Sequence, residues 1–347
     1  MKLDTTSVPA ALTVRNVSRR TTLAACASIA LGLLLSGQSA RAAAQALADT
    51  AAATAGFSTL EFEWTDGVRQ REVPVRLYLP ASASADAPVP LVVFSHGIGG
   101  SRRGYSYLGR HFAANGIASL HVQHVGSDRS LWGGNALGML GRLVAAAQET
   151  EAVHRVRDLS FALDQLLADE KGALIDAQRL VVAGHSYGAN TAMLAAGARV
   201  ERDGRVLDFR ETRFSAAILI SAPPFYGETD TTQILQHVTV PTLHITAADD
   251  DIRIPGYYSG AADRIAVFEA MGSRSKTLAV FSGGSHSVFT DRLAPGGFEL
   301  NQRVKAATRE LSLTFLKPLF GGSAEPLDGW SQRYREIVSR LVTAPLR

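Results

Sequence analysis

From residue 57 to residue 316, short apolar runs of β-type composition alternate with segments of helical period. Residues 57–64 and 73–79 read as two opening strands joined at the polar Asp66-Gly67 turn. Residues 88–95 form a continuous apolar run, the signature of a strand buried on both faces, and residues 117–125 form the next strand after a helical segment at 105–115. Val153, Val156, Leu159, Leu163, Leu166 and Leu167 recur at three- and four-residue intervals, which predicts an amphipathic helix over 150–168. Residues 180–184 predict another strand and 190–198 a helix of small residues. Further strands are expected at 214–221, 241–247 and 277–282, before a closing helix at 304–316. This alternation implies an α/β fold: one domain with a mainly parallel sheet covered by helices on both faces.

Two segments break the pattern. Residues 127–148, with Leu131, Trp132 and four glycines, are expected to overlie the carboxyl edge of the sheet, where open α/β sheets bind their ligands. Residues 201–212 are polar and are expected to form a surface loop.

Composition narrows the class. Hydrophobic residues make up 46% of the chain and charged residues 19%, which suits a globular enzyme. Of 35 basic and 32 acidic residues, five (Lys2, Arg15, Arg19, Arg20, Arg41) and one (Asp4) precede residue 43, leaving 30 against 31. A near-neutral remainder without a basic cluster argues against a nucleic-acid partner. Residues 1–42 read as an export signal: a polar leader ending in Ser18-Arg19-Arg20, an apolar run at 23–35, and Ala40-Arg41-Ala42 as the cleavage site. The paired arginines favour the twin-arginine route over general secretion, so the export machinery is an expected partner and the periplasm or exterior the expected location. The apolar run is short of the ~20 residues that span a bilayer. Residues 43–56 read as a flexible lead-in and 57–347 as one domain. Cys26 is the only cysteine. It stands at the start of the apolar run instead of its end, which argues against acylation, and cleavage near Ala42 removes it, leaving no thiol for disulfide, nucleophile or metal site.

Candidate chemistry centres on Gly184-His185-Ser186-Tyr187-Gly188, a G-x-S-x-G run behind the strand at 180–184. In such an elbow the serine is lifted clear of the sheet on a strained turn, and the flanking glycines admit the close approach. Ser186 is therefore the candidate nucleophile. It needs a base and an acid that orients the base. Among nine histidines, His286 follows the last predicted strand in Ser282-Gly283-Gly284-Ser285-His286, at the sheet end where Ser186 also lies. The acid is sought after an intervening strand: residues 222–224 (Ala-Pro-Pro) hold no carboxylate, whereas Asp249, Asp250 and Asp251 follow residue 247. Counting outward from the strand favours Asp250; counting back from Pro255 makes Asp251 its rival. Tyr187 offers its backbone N–H and the positive end of a helix dipole to a developing oxyanion, and Ile98, in the glycine-rich turn after Ser95, offers a second N–H. This chemistry needs no cofactor. The turn lacks the G-K-[ST] ending of a phosphate loop, and His121 and His124, three apart on a strand, face opposite sides and suit no shared metal. His96 is expected to order its loop, and His185 to point away from Ser186 in a structural role.

With glycine turn, elbow, acid and base in the order Ser186, Asp250, His286, the chain resembles the α/β-hydrolase superfamily over about residues 57–318. More narrowly it is similar to bacterial dienelactone-hydrolase-like and platelet-activating-factor-acetylhydrolase-like esterases. Phe94 to Arg102 resembles their oxyanion turn, Gly184 to Gly188 their elbow, and Asp250 to Tyr258 with Gly283 to His286 their acid and base segments. Dienelactone hydrolases proper carry a cysteine nucleophile where this chain has Ser186, so the resemblance implies ester hydrolysis without that substrate. The expectation is an exported serine esterase acting on a small-molecule or lipid-like ester. The rivals are a lipase or polyester hydrolase, more distantly an amidase or peptidase, and a non-catalytic binding protein on the same scaffold. Trp132, Phe225, Tyr226, Tyr257 and Tyr258 are candidates to line an acyl site.

Overall fold

The computed structural model describes residues 56–254, 257–292, 294–323 and 327–344. The expected export leader and cleavage site, Cys26 and all but the last residue of the expected lead-in lie outside the described residues.

Residues 57–343 build a nine-stranded sheet in the order β1-β2-β4-β3-β5-β8-β9-β12-β13. The strands are β1 (Phe57–Asp66), β2 (Arg71–Pro80), β3 (Val89–Ser95), β4 (Ala118–Val122), β5 (Ile175–His185), β8 (Phe214–Ile220), β9 (Thr242–Asp249), β12 (Lys276–Ser285) and β13 (Val338–Thr343). Six of them, β4, β3, β5, β8, β9 and β12, run parallel. The β1–β2 hairpin joins β4 antiparallel at one edge, and β13 pairs antiparallel with β12 at the other.

Burial on both faces explains the unbroken apolar runs. Along β5, Leu180 and Val182 enter one core and Val181 and Ala183 the other; along β3, Leu91 and Val93 oppose Val92 and Phe94. Helices Glu149–Ala168 and Tyr187–Ala195 cover the first face, and helices Ser106–Ala114 and Gly297–Leu319 the second. Within Glu149–Ala168, Val156, Leu159, Leu163 and Leu166 are buried, but Val153 and Leu167 are only half-buried. Their places toward the interior are taken by Glu151, Arg155 and Asp158.

Three features depart from the sequence expectation. The segment read as a surface loop at 201–212 contains a small hairpin of β6 (Arg199–Arg202) and β7 (Arg205–Asp208). A helix at Leu327–Tyr334 and the edge strand β13 follow the helix that was expected to close the chain. β13 carries one arginine and short apolar steps, so its pattern is too brief to read without its neighbour. A further short hairpin, β10 (Ile252–Ile254) with β11 (Tyr257–Ser259), follows β9.

Candidate active site

Chain reversal after β5 is concentrated in one residue. β5 ends at His185 and the next helix begins at Tyr187, so Ser186 turns the chain at φ 55°, ψ −125°, a sparsely populated conformation that costs ~1–3 kcal/mol. Gly184 and Gly188 make it sterically possible. A Cβ on Gly184 would lie 2.0 Å from the Gly188 carbonyl oxygen, and one on Gly188 would lie 2.0 Å from the Ser95 carbonyl oxygen. The elbow is thus pressed against the end of β3, where the glycine turn begins. Ser186 N–H donates to the Ile220 carbonyl at 2.9 Å, which pins the elbow to β8.

The structure brings Ser186, His286 and Asp250 into one line. His286 opens the short helical turn after β12, and its Nε2 lies 2.7 Å from Ser186 Oγ. Its Nδ1 lies 2.7 Å from Asp250 Oδ1. Asp250, just past β9, is fully buried, whereas the Asp251 side chain is 41% exposed and pairs with Arg253 at 2.7 Å. The second carboxylate oxygen of Asp250 accepts from Thr246 Oγ1 at 2.7 Å and from the Ser221 hydroxyl. Ser221 Oγ also lies 2.9 Å from His286 Nδ1. Burial by itself would raise the Asp250 pKa. The hydrogen bond and charge of His286, the Arg264 guanidinium 3.6 Å away and the Ser221 hydroxyl outweigh it and hold the carboxyl well below its ordinary range.

The turn after β3 abuts the elbow, since Gly188 lies against the Ser95 and His96 carbonyls. In the turn after β3, Gly97 N–H donates to Tyr105 Oη at 3.2 Å, Gly99 N–H to the Ser127 carbonyl at 2.8 Å and Gly100 N–H to the Gly97 carbonyl at 3.0 Å. Among the described residues, Ile98 N–H meets no protein acceptor. Tyr187 N–H, at the first position of its helix, has no intrahelical acceptor either. The Tyr187 ring packs under the Arg155 guanidinium, 4.4 Å from its centroid, and burial pushes its phenol up to about 12.

Beneath the glycine turn lies a buried polar layer that no sequence pattern announced. Arg155 is fully buried and donates to Thr191 Oγ1 at 3.0 Å, Ser127 Oγ at 2.7 Å, Ser95 Oγ at 3.1 Å and the His96 carbonyl. His124 Nδ1 meets Asp158 Oδ2 at 2.9 Å, and its Nε2 meets Ser95 Oγ at 2.9 Å. Asp158 in turn takes Arg69 at 2.7 Å and Arg71 at 3.1 Å. The available signal was that Glu151, Arg155 and Asp158 share the inward face of one helix.

His96, His121 and His124 have structural partners. His96 Nδ1 contacts the Gly97 carbonyl at 2.7 Å and its Nε2 accepts from His124 N–H at 3.1 Å, so it orders the turn. His121 lies 3.1 Å from both the Gly104 carbonyl and Ser119 Oγ, and His124, which lies past the end of β4, joins the layer above. Of the aromatics, Trp132 is 45% exposed and donates through Nε1 to the Gly99 carbonyl at 2.9 Å, so the 127–148 segment does reach the glycine turn. Tyr226 and Tyr257 make an edge contact at 5.2 Å, Tyr258 is largely exposed, and Phe225 packs against the core.

Residues 58–132 match the family model of platelet-activating factor acetylhydrolase, isoform II. That span holds the glycine turn but neither Ser186, Asp250 nor His286. No curated protein matches the chain. Two solved structures are similar over most of its length. A PEG-bound cold-adapted esterase from an Arctic intertidal metagenomic library is 18% identical, covers 74% of this chain and 93% of its own, and superposes with a TM-score of 0.50. Ferulic acid esterase from Streptomyces cinnamoneus is 23% identical, covers 78% of this chain and 92% of its own, with a TM-score of 0.54. Together with the sheet order, these likenesses show an α/β-hydrolase fold.

Proposed function

We propose that this protein is a serine esterase, with Ser186 as nucleophile, His286 as general base and acid, Asp250 as the orienting carboxylate, and the Ile98 and Tyr187 amides as oxyanion donors. The observation that carries the reading is the pair of 2.7 Å contacts from His286 to Ser186 Oγ and to a fully buried Asp250, on an elbow strained at Ser186. With Nδ1–H donated to Asp250, His286 presents a bare Nε2 to the Ser186 hydroxyl. Ser186 Oγ then attacks the ester carbonyl carbon as its proton passes to Nε2, and the carbonyl oxygen becomes an oxyanion facing the two free amides. Each such donor contributes about 3–4 kcal/mol of transition-state stabilisation. Collapse expels the alcohol, which takes the proton from His286. Water, deprotonated by the same nitrogen, cleaves the acyl-enzyme and releases the acid.

The two solved structures named above are esterases, and the partial family match is to an acetylhydrolase, which supports a carboxylic ester as substrate class. Export through the leader at 1–42 belongs to the same reading. Among the described residues no helix is long and apolar enough to cross a membrane. Hydrolysis of p-nitrophenyl acetate by the purified protein and by Ser186→Ala tests the assignment: the parent should turn over and the variant should fall to background. A folded Ser186→Ala protein that keeps parental activity would remove Ser186 from the chemistry. A profile against acyl length, with a solid polyester film included, separates a small-ester enzyme from a lipase or polymer hydrolase.

A further inference from the structure

We propose that Tyr105 and His185 form a positioning relay that ties the oxyanion turn to the backbone of the general base; the proposal rests on the serine-esterase reading above. Three contacts make the chain. Gly97 N–H donates to Tyr105 Oη at 3.2 Å, Tyr105 Oη lies 2.8 Å from His185 Nδ1, and His185 Nε2 lies 3.1 Å from the His286 carbonyl. Its two ends fix its direction. A carbonyl can only accept, so His185 carries a proton on Nε2, and in the neutral imidazole the bare Nδ1 then accepts from the Tyr105 hydroxyl, which itself accepts from Gly97 N–H. The relay therefore needs a neutral imidazole. Burial, reinforced by the neighbouring His286, pushes the His185 pKa down to about 3 and keeps it in that form.

The fold accepts a local cost to install this relay. Tyr105 occupies the left-handed region at φ 57°, ψ 31°, at the N-cap of helix Ser106–Ala114, and makes no capping hydrogen bond through its side chain. Glycine or asparagine would sit there with less strain and would cap as well or better. What tyrosine adds is a buried ring packed 4.7 Å from Phe94 and a hydroxyl that reaches His185. Gly97 makes room for it: a Cβ there would lie 3.1 Å from His185 Nδ1 and 3.2 Å from Tyr105 Oη. The His185 ring also packs against the His286 ring, with centroids 4.9 Å apart. One end of the relay thus holds the residue before Ile98, and the other holds His286 itself. It sets the separation between an oxyanion donor and the proton-transfer nitrogen, although neither relay side chain touches substrate.

Tyr105→Phe keeps the ring and removes both hydrogen bonds; His185→Gln is the second variant, and the double variant completes a cycle. Rates are normalised to the folded fraction measured by circular dichroism. Because small misplacements of reacting groups are costly, each single variant should lower kcat about ten- to a hundredfold. KM should stay within about twofold, the signature of an interaction used in the transition state. The double variant should be no slower than the slower single, since either change opens the same relay. A kcat near parental in both singles, a loss confined to KM, or losses that multiply in the double variant would overturn the relay. If Tyr105→Phe does not fold, the His185→Gln kcat and KM decide alone. Ser186→Ala, assayed alongside, separates the two questions: its retained activity would overturn the esterase reading, whereas an inactive Ser186→Ala beside unimpaired relay variants would overturn only the relay.

Discussion

Replacing Asp250 by asparagine changes almost no volume and should nevertheless remove nearly all activity. Asp250 Oδ2 accepts hydrogen bonds from Thr246 Oγ1, at 2.7 Å, and from the Ser221 hydroxyl, while Oδ1 faces His286 Nδ1 at 2.7 Å. Asparagine has a single side-chain oxygen. If that oxygen stays with the two hydroxyl donors, the amide NH2 points at His286 Nδ1, which must then accept. The imidazole proton moves to Nε2, where it faces Ser186 Oγ and blocks proton abstraction. Loss of the charge that stabilises the imidazolium acts in the same direction. Trapping a catalytic histidine in the wrong tautomer costs about 10⁴ in kcat, or ~5.5 kcal/mol of transition-state stabilisation. Asp251→Asn is the paired control, because that side chain is exposed and pairs with the exposed Arg253. An exposed ion pair contributes ~0–1 kcal/mol, so this variant should keep close to parental activity. Both are assayed on p-nitrophenyl acetate, with thermal unfolding to confirm the fold. An Asp250→Asn enzyme within tenfold of parent, or a larger loss in Asp251→Asn, would refute the reasoning.

Gly188→Ala would place a Cβ 2.0 Å from the Ser95 carbonyl oxygen and 2.8 Å from that of His96. Backbone must move to relieve it, so stability should fall by about 3 kcal/mol in urea unfolding and activity should fall with it; unchanged values would mean that the elbow is not pressed against β3. Arg155→Met deletes the donor to Thr191, Ser127, Ser95 and the His96 carbonyl. Leaving these buried acceptors without their charged donor should cost about 2–3 kcal/mol, seen as a lower urea midpoint at an unchanged slope. The acid limb of stability should follow the buried histidines. His121, His185 and His244 are pushed down to about 3, chiefly by burial, whereas the unfolded chain protonates near 6.5. Their contribution is complete above the unfolded value and is lost as pH falls from 6.5 toward 3. His244→Gln should therefore flatten the dependence of unfolding free energy between pH 6 and 4 by about 1.4 kcal/mol per pH unit; an unchanged slope would show that His244 is not held neutral.

Local patterning went far on the fold. The apolar runs that became β3, β5 and β8 were legible because a strand buried on both faces leaves few polar steps, and β9 was read across the buried Thr242, His244 and Thr246. Polar first turns and edge positions hid the rest. β5 begins at Ile175, ahead of the exposed Ala177 and Gln178, and β13 owes its existence to pairing with β12. At the candidate site, the elbow glycines, the candidate base after the last parallel strand and the cluster of three aspartates were readable as order along the chain. Which aspartate turns inward was not, because adjacent loop residues differ only in the direction of their side chains.

The sequence alone determined the alternation of elements, the turn at Ser186 and the candidate residues brought to one sheet edge, since each follows from local period, glycine placement and the ends of parallel strands. Only the tertiary structure decided that Asp250 is buried on His286, that Ser221 lies against both, that Arg155 ties the elbow helix to the end of β3, and that Tyr105 reaches His185. Those contacts join residues 29 to 80 positions apart. Sheet order and helix packing set such distances, and no window of local pattern contains both partners.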